Sequence, residues 1–208
     1  KKGDWVRGRD SSPAPTCATC HTSSYMGPDG KVVGNTHDVG ERISWTLRPV
    51  VSTKMNMVIF EDGFKENFPD TRTLPRIGER LSTNNAVVRE GELVMERTYR
   101  RVKEIVSWEQ RRENMTGVCA SCHSSSFVRN FYEQFDSLVN LYNDKFGSVA
   151  QQFMKDLTAD GVLSPDAPFE HPVQWVFWEL WHHEGRRARH GASMMGPDYT
   201  HWHGMYEV

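Results

Sequence analysis

The sequence is short of aliphatic residues and of long apolar runs. Only 38% of its 208 residues are hydrophobic. Its most apolar stretch, Val173–Trp181, falls far below the run of about 18 apolar residues that spans a bilayer. We therefore predict no transmembrane segment, and one domain or one domain with extensions.

A strong net charge is also missing. The formal charge is −2, whereas nucleic acids and anionic membranes attract clearly basic chains. We therefore expect no nucleic-acid partner. The chain starts KKGDWV, without Met and without an apolar run after the lysines. We expect either that an export signal was removed or that this is part of a longer chain.

Aromatic residues are plentiful, with seven Trp and ten Phe. A chain with few aliphatic residues has little surface to bury in a core of its own. It would gain stability by packing around something large and apolar.

Only four cysteines are present, and all of them lie in two copies of one motif, C-x-x-C-H. The first copy is Cys17, Cys20 and His21. The second copy is Cys119, Cys122 and His123. This pattern attaches haem c: the two thiols bond to the haem, and the adjacent His is the proximal iron ligand.

Disulfides and zinc are the competing interpretations of the cysteines. A zinc ribbon places about 15–20 residues between its two cysteine pairs, whereas about 100 separate Cys20 from Cys119. Neither alternative requires a His after each pair. We therefore expect two covalent haems, attached in the periplasm or an equivalent compartment outside the cytoplasm.

The predicted fold class is mostly α, a single haem-binding unit of long helices and haem-wrapping loops. Residues 1–78 are rich in Gly, Pro, Asn and Ser and are expected to be irregular around the first motif. An amphipathic helix is predicted from about Glu79 to Glu113, and Gly117 is expected to end it before the second motif. No convincing strand pair is found.

Two further helices are predicted in residues 79–208. From Ser124 to Asp160, aromatic and aliphatic residues recur every three or four positions, with Gly147 as a weak point. This stripe is typical of a packed core, and it also suits a partner helix. The last helix should run from Pro172, a favourable first-turn residue, to about Ala192.

Seven histidines remain for the open axial positions of the haems. They are His37, His171, His182, His183, His190, His201 and His203. We expect distal ligation by His37, by His182 or His183, and by His203. Met26, Met194 or Met195 could replace a histidine and would raise the reduction potential.

An arginine cluster lies between these histidines. Arg186 and Arg187, with Arg189, either stabilise the carboxyl end of the last helix or pair with haem propionates. Both roles are compatible with the sequence.

The chain resembles the octahaem hydroxylamine oxidoreductase family. The resemblance lies in CATCH with THDVGERISWTLRPVVS, in CASCHSSSFVRNFYEQFDSLVNLYNDKF, and in ELWHHEGRRARHGASMMGPDYTHWHGMYEV. It implies the C-terminal part of such a protein, with its last two haem sites. The six other haems, including the catalytic one, would then lie on sequence not present here.

The resemblance gives the tail a role. Family members that oxidise hydroxylamine or hydrazine are trimers in which a tyrosine near the C-terminus is linked to the catalytic haem of the neighbouring subunit. The tyrosine of GPDYTHWHG is Tyr199. Relatives that reduce nitrite lack this link, so Tyr199 favours oxidation.

The implied function is oxidation of a small nitrogen compound, with electrons passed through the two haems to a redox protein. A free-standing dihaem electron-transfer cytochrome is the alternative, and a nitrite-reducing relative is another. The sequence does not choose among hydroxylamine, hydrazine and nitrite.

Overall fold

The computed structural model describes residues 17–27, 29–44 and 52–208. Expectations that fall on residues 1–16, 28 and 45–51 lie outside the described residues. Helices make up 45% of the structure and strands 22%, so the mostly α prediction holds only in part. The helices are α1 Cys17–His21, α2 Trp108–Cys119, α3 Ser125–Tyr142, α4 Ser148–Ala159, α5 Pro172–Trp178, α6 Gly185–Ser193 and α7 Pro197–Thr200.

Six strands form two antiparallel sheets in the described residues. They are β1 Tyr25–Met26, β2 Val32–Val33, β3 Met55–Phe60, β4 Lys65–Pro69, β5 Arg80–Arg89 and β6 Glu92–Val106. The first two strands pair with each other, and the other four follow the order β4-β3-β6-β5. The sheet's core is formed by Val58, Phe60, Phe68 and Val102. The prediction that no strand pair exists is wrong.

The predicted helix over 79–113 is wrong as far as Val106. This segment forms a long hairpin in which Arg89 pairs with Glu92 and Arg80 pairs with Arg101. Its two-residue loop, Glu90 and Gly91, has φ angles of 51° and 87°. Positive φ at both loop positions gives the turn whose twist matches that of paired strands. The loop chemistry and the Val and Thr residues therefore outweigh the helical spacing of the apolar residues.

The irregular region expected before residue 79 also contains regular structure. Strands β3 and β4 pair from Met55 with Pro69 to Ile59 with Lys65. Strand β3 is buried at five of its six positions, because it lies between β4 and β6. Its sequence, MNMVIF, is a short apolar run that suits a central strand.

The helix predicted from Ser124 to Asp160 is confirmed, with one irregularity. Helices α3 and α4 are joined by a π-helical segment, Asn143–Gly147, which contains the expected weak point. Ser124 caps α3 by accepting a hydrogen bond from the Phe127 amide at 3.3 Å. After α4, Gly161 takes a φ of 74°, which a glycine adopts without steric cost.

The last predicted helix is also confirmed and also contains a π-helical segment. It comprises α5, the segment Glu179–Glu184 and α6. Pro172 occupies the first turn, and the His171 imidazole caps the helix by accepting from the Val173 amide at 3.2 Å. The tail continues as α7 and a third π-helical segment, His201–Met205.

Gly117 does not end a helix, contrary to expectation. It lies inside α2, where an added Cβ would come within 2.4 Å of the Tyr25 ring. The Tyr25 hydroxyl donates to Asn114 Oδ1 at 3.1 Å. The glycine therefore allows the segment after the first motif to pack directly on the helix that leads to the second.

We predict that Gly117→Ala destabilises the protein. Alanine should gain about 1 kcal/mol as a helix former, but the overlap with Tyr25 should cost more, for a net loss of about 1–2 kcal/mol. Chemical denaturation measures this difference. In a Tyr25→Ala background the overlap is gone, and Gly117→Ala should then be stabilising. If Gly117→Ala changes the free energy of unfolding equally with Tyr25 and with Ala at position 25, the packing argument is contradicted.

Candidate haem site

The first motif forms the short helix α1, which presents Cys17, Cys20 and His21 together. The Nδ1 atom of His21 lies 3.0 Å from the carbonyl oxygen of Val39. A carbonyl partner requires Nδ1 to carry the proton, so Nε2 keeps the lone pair that binds iron. The loop around Val39 thus orients the imidazole.

Arg111 of α2 holds that loop in place. Its guanidinium donates to the carbonyl oxygens of Gly40 at 2.9 Å, Glu41 at 3.3 Å and Met55 at 2.7 Å. A fourth bond goes to Asn67 Oδ1 at 2.8 Å. Burial lowers the pKa of Arg111 to about 10, so the side chain stays charged at neutral pH.

The second motif follows the end of α2, and its histidine lies against α3. The imidazole of His123 stacks on Phe127, with ring centroids 4.3 Å apart and planes inclined by 10°. Burial raises the pKa of Cys119, and the nearby Cys20 and Cys122 act in the same direction. Cys20 and Cys119 also line the same cavity, so the two motifs are close in space.

One cavity is lined by all three residues of the first motif and by Cys119 of the second. Its walls contain side chains of the first motif, the loop after it, α2, α3 and the end of α6. They are Cys17, Cys20, His21, Arg42, Ile43, Ser44, Met115, Cys119, Phe127, Val128, Phe131, Tyr132, Phe135, Ser193, Met194 and Met195. The lining is mostly apolar, as a flat hydrophobic cofactor requires. The first part of the aromatic stripe of α3 therefore faces a cavity as well as the core.

An ion pair supports the wall formed by α3. Arg112 binds Asp136 through two bonds of 2.8 and 2.7 Å, and the Thr53 hydroxyl donates to the same carboxylate at 2.6 Å. The Arg112 guanidinium also lies 4.7 Å from the Tyr132 ring centre. Burial raises the pKa of Tyr132, so its phenol remains protonated in the cavity wall.

The residues present fit a covalent haem. None of the four cysteines forms a disulfide, and in the first motif both sulfur-bearing side chains and the His21 imidazole line one apolar cavity. Cys17 and Cys20 would attach the first group and Cys119 and Cys122 the second, with His21 and His123 as iron ligands. Bound haem supplies a one-electron redox centre. No group of three or more His, Cys, Asp or Glu in the described part of the chain could hold a bare metal ion.

The expected distal ligands lie in different surroundings. His37 is exposed in a loop. His182 stacks on Trp178 at 4.2 Å and meets Trp181 edge-on at 5.3 Å. Burial, with the charges of Arg186 and His183, lowers the pKa of His182. The neutral imidazole favoured by this environment is the form that binds iron.

His183 and the arginine cluster interact with one another. Arg187 binds His183 Nε2 at 3.1 Å and Glu207 at 3.3 Å. Neither Arg186 nor Arg187 is among the residues that line the shared cavity, where the arginine is Arg42. Arg189 is buried, with its guanidinium 5.5 Å from the Tyr142 ring centre.

The tail carries Tyr199 at the surface. Its side chain is 48% exposed, on α7, with its ring 5.1 Å from that of His203. Trp202 and Tyr206 of the same tail are 55% and 70% exposed, and their rings lie 5.3 Å apart. The tail thus presents an aromatic surface outward.

Sequence reasoning missed Arg42, Arg111 and Tyr132. Arg42 and Arg111 lie in polar stretches, GERIS and EQRRE, that resemble solvent-exposed segments. Their burial depends on backbone carbonyls supplied by distant loops. The motif spacing contains no signal for such partners, since they are assembled only when the chain folds.

Comparison with known proteins places this site in a class. A family model described as "Seven times multi-haem cytochrome CxxCH" matches residues 82–168, about two fifths of the chain, including the second motif. It supports a multihaem c-type cytochrome, a redox protein with covalently bound haem c. No curated protein and no solved structure matches. Within the described residues, no helix is long and apolar enough to cross a membrane.

We predict that the ion pair behind the cavity makes stability depend on acid pH. Burial alone would raise the pKa of Asp136, but the hydrogen bonds and charge of Arg112 and the bond from Thr53 lower it. A lowered folded-state pKa stabilises the protein above the unfolded value, about 3.9, and this stability is lost as pH falls through the folded value. Asp136→Asn should cost about 2 kcal/mol at pH 7 and show less acid dependence.

Denaturant unfolding between pH 7 and pH 3 tests this. Glu133→Gln, an exposed carboxylate on the same helix, is the control and should change stability by less than about 0.5 kcal/mol. If the difference in the free energy of unfolding between wild type and Asp136→Asn stays constant across this pH range, the prediction is contradicted.

Proposed function

We propose that the two motifs hold a pair of neighbouring haems that relay electrons within a multihaem oxidoreductase. Two haems would then be successive redox centres in an electron-transfer chain. One is attached at Cys17, Cys20 and His21, and the other at Cys119, Cys122 and His123. Electron transfer follows from the class of protein, and the assignment to these residues is the proposal.

One observation carries the relay: Cys119 lines the same cavity as Cys17, Cys20 and His21. Groups attached to residues that line one cavity are held close together, and close approach favours electron transfer. The protein's part is to fix the two attachment points, to exclude water with the aromatic wall of α3, and to orient His21 through Val39.

We further propose that the complete protein oxidises hydroxylamine or hydrazine. The support is the resemblance of the motif-flanking segments and the exposed tail that carries Tyr199. In this proposal Tyr199 reaches the catalytic haem of a neighbouring subunit in a covalent homotrimer, and His203 lies beside the contact. A separate redox protein outside the cytoplasm takes up the electrons.

Distal ligation by His37, by His182 or His183, and by His203 belongs to the same proposal. The surroundings of His182 support it most directly, because burial and the charges of Arg186 and His183 lower the pKa of this imidazole. Some of these ligands would serve haems held by other parts of the protein. Arg186 and Arg187 remain candidates for propionate partners of such haems.

A free-standing dihaem electron carrier is the second candidate. The shared cavity supports it equally, because a relay needs no substrate site. A nitrite-reducing relative would likewise contain the relay. The Tyr199 link separates oxidation in a covalent trimer from both alternatives.

We predict one haem on each motif. Mass spectrometry of proteolytic peptides spanning residues 10–30 and 112–130 should show one haem adduct on each. Cys17→Ala combined with Cys20→Ala should remove the first adduct, and the second peptide serves as the internal control. An unmodified thiol in either wild-type peptide contradicts the assignment.

We predict that Tyr199 joins subunits covalently. The natural protein should migrate in a denaturing gel near three times the mass of its polypeptide, and Tyr199→Phe should reduce this to the monomer mass. Tyr206→Phe, another exposed tail tyrosine, should leave the trimer band intact. A wild-type protein that migrates wholly as monomer would exclude the link and favour the electron carrier.

A further inference from the structure

We propose that Arg42 is a positioning residue of the first haem site and that its fixed positive charge raises the reduction potential there. The inference rests on the proposed haem at Cys17, Cys20 and His21. Arg42 lines the cavity and is only 2% exposed, so both its geometry and its charge act on whatever the cavity holds.

The guanidinium fastens the end of the attachment helix. Its Nη1 donates to the carbonyl oxygen of Cys20 at 3.2 Å, and Nη2 donates to that of Ser23 at 2.6 Å. Carbonyls at a helix end lack partners within the helix and carry partial negative charge. One side chain therefore satisfies the backbone of Cys20, the residue just before His21.

The same guanidinium connects α1 with α2. It lies 5.1 Å from the Tyr25 ring centre, and Tyr25 packs on Gly117 and donates to Asn114. Both of these residues belong to α2, which ends at Cys119. Arg42 thus links the first attachment helix to the helix that ends in the second motif.

The charge of Arg42 lies at an apolar cavity wall. The carboxylates of Glu41 and Glu113 lie near the Tyr25 ring on which the guanidinium packs. Its hydrogen-bond acceptors in the described part of the chain are neutral carbonyls, and the cavity wall beside it is mostly hydrocarbon. The adjacent carboxylate of Glu41 accepts a hydrogen bond from the Thr36 hydroxyl at 2.7 Å. In a medium of low dielectric constant, a fixed cation interacts strongly with other charges. Oxidised iron carries one more positive charge than reduced iron, so the cation favours the reduced state.

Arg42→Gln and Arg42→Lys separate the two roles. Glutamine removes the charge, whereas lysine keeps it and loses the two-pronged bond to Cys20 and Ser23. The full natural protein with its haems is titrated electrochemically, followed by visible and electron paramagnetic resonance spectra. In Arg42→Gln, the ratio of oxidised to reduced haem should rise about tenfold for one haem component at a given applied potential. The reduction potential of that haem then falls by about 59 mV, the value for a one-electron couple. Arg42→Lys should stay closer to wild type in potential.

Thermal unfolding reports the positioning role. Both variants should unfold at lower temperature than wild type, because both lose the bonds that fasten α1. Arg97→Gln removes a charge from the exposed hairpin and should change neither potential nor stability. Spin-state spectra of each variant check that the axial ligands are retained.

The outcomes are distinct. An unchanged potential in a haem-loaded Arg42→Gln overturns the charge effect. If the reduction potential falls as much in Arg42→Lys as in Arg42→Gln, the geometry of the site and not the charge sets the potential. This result also overturns the charge effect. If neither variant loads haem on the first motif while Arg97→Gln does, the positioning role is supported and the charge effect is withdrawn. Absence of haem from that motif in wild type instead refutes the proposed function.

Discussion

The buried guanidinium of Arg111 is the interaction on which the rest of this structure depends. It binds carbonyls of the loop that contains Gly40 and Glu41, of strand β3 at Met55, and the side chain of Asn67 on β4. A buried charge is tolerated only when its donors are satisfied, so these segments are fixed relative to α2. The loop that orients His21 is thereby tied to the sheet and to the helix that leads to the second motif.

This arrangement gives the two cofactor sites a common frame. Helix α2 carries Arg111 and ends at Cys119, and the loop that Arg111 holds orients His21. Displacement of one site therefore moves the other. A pair of redox centres benefits from this rigidity, because electron transfer depends on the distance between them. A chain with few aliphatic residues would also gain stability if large apolar groups filled the cavity between its elements.

The C-terminal helices are held together by a second interaction, which joins the end of α3 to the π-helical segment Glu179–Glu184 and to α6. The hydroxyl of Tyr142, at the end of α3, donates to the carbonyl of Leu180 in that segment at 2.7 Å. Gly185 makes room for it, because an added Cβ would lie 2.3 Å from the phenol. Burial raises the pKa of Tyr142 to about 12, so it remains a donor. The turn that carries His182 is fixed in this way, and such π-segments are frequent at functional sites.

The sequence by itself determined the cofactor and the long helices. The C-x-x-C-H motifs that begin at Cys17 and Cys119 attach haem through residues adjacent in the sequence, so no tertiary contact is needed to recognise them. The repeated apolar spacing over 124–160 fits a helix and no other regular element. The sequence did not determine the hairpin over 80–106, where helical spacing and turn chemistry disagreed and pairing with β3 favoured the strand. Nor did it place Arg42 and Arg111, whose partners are carbonyls on other segments. Only the tertiary structure decided those, because burying a cation becomes favourable only after folding has brought the acceptors together.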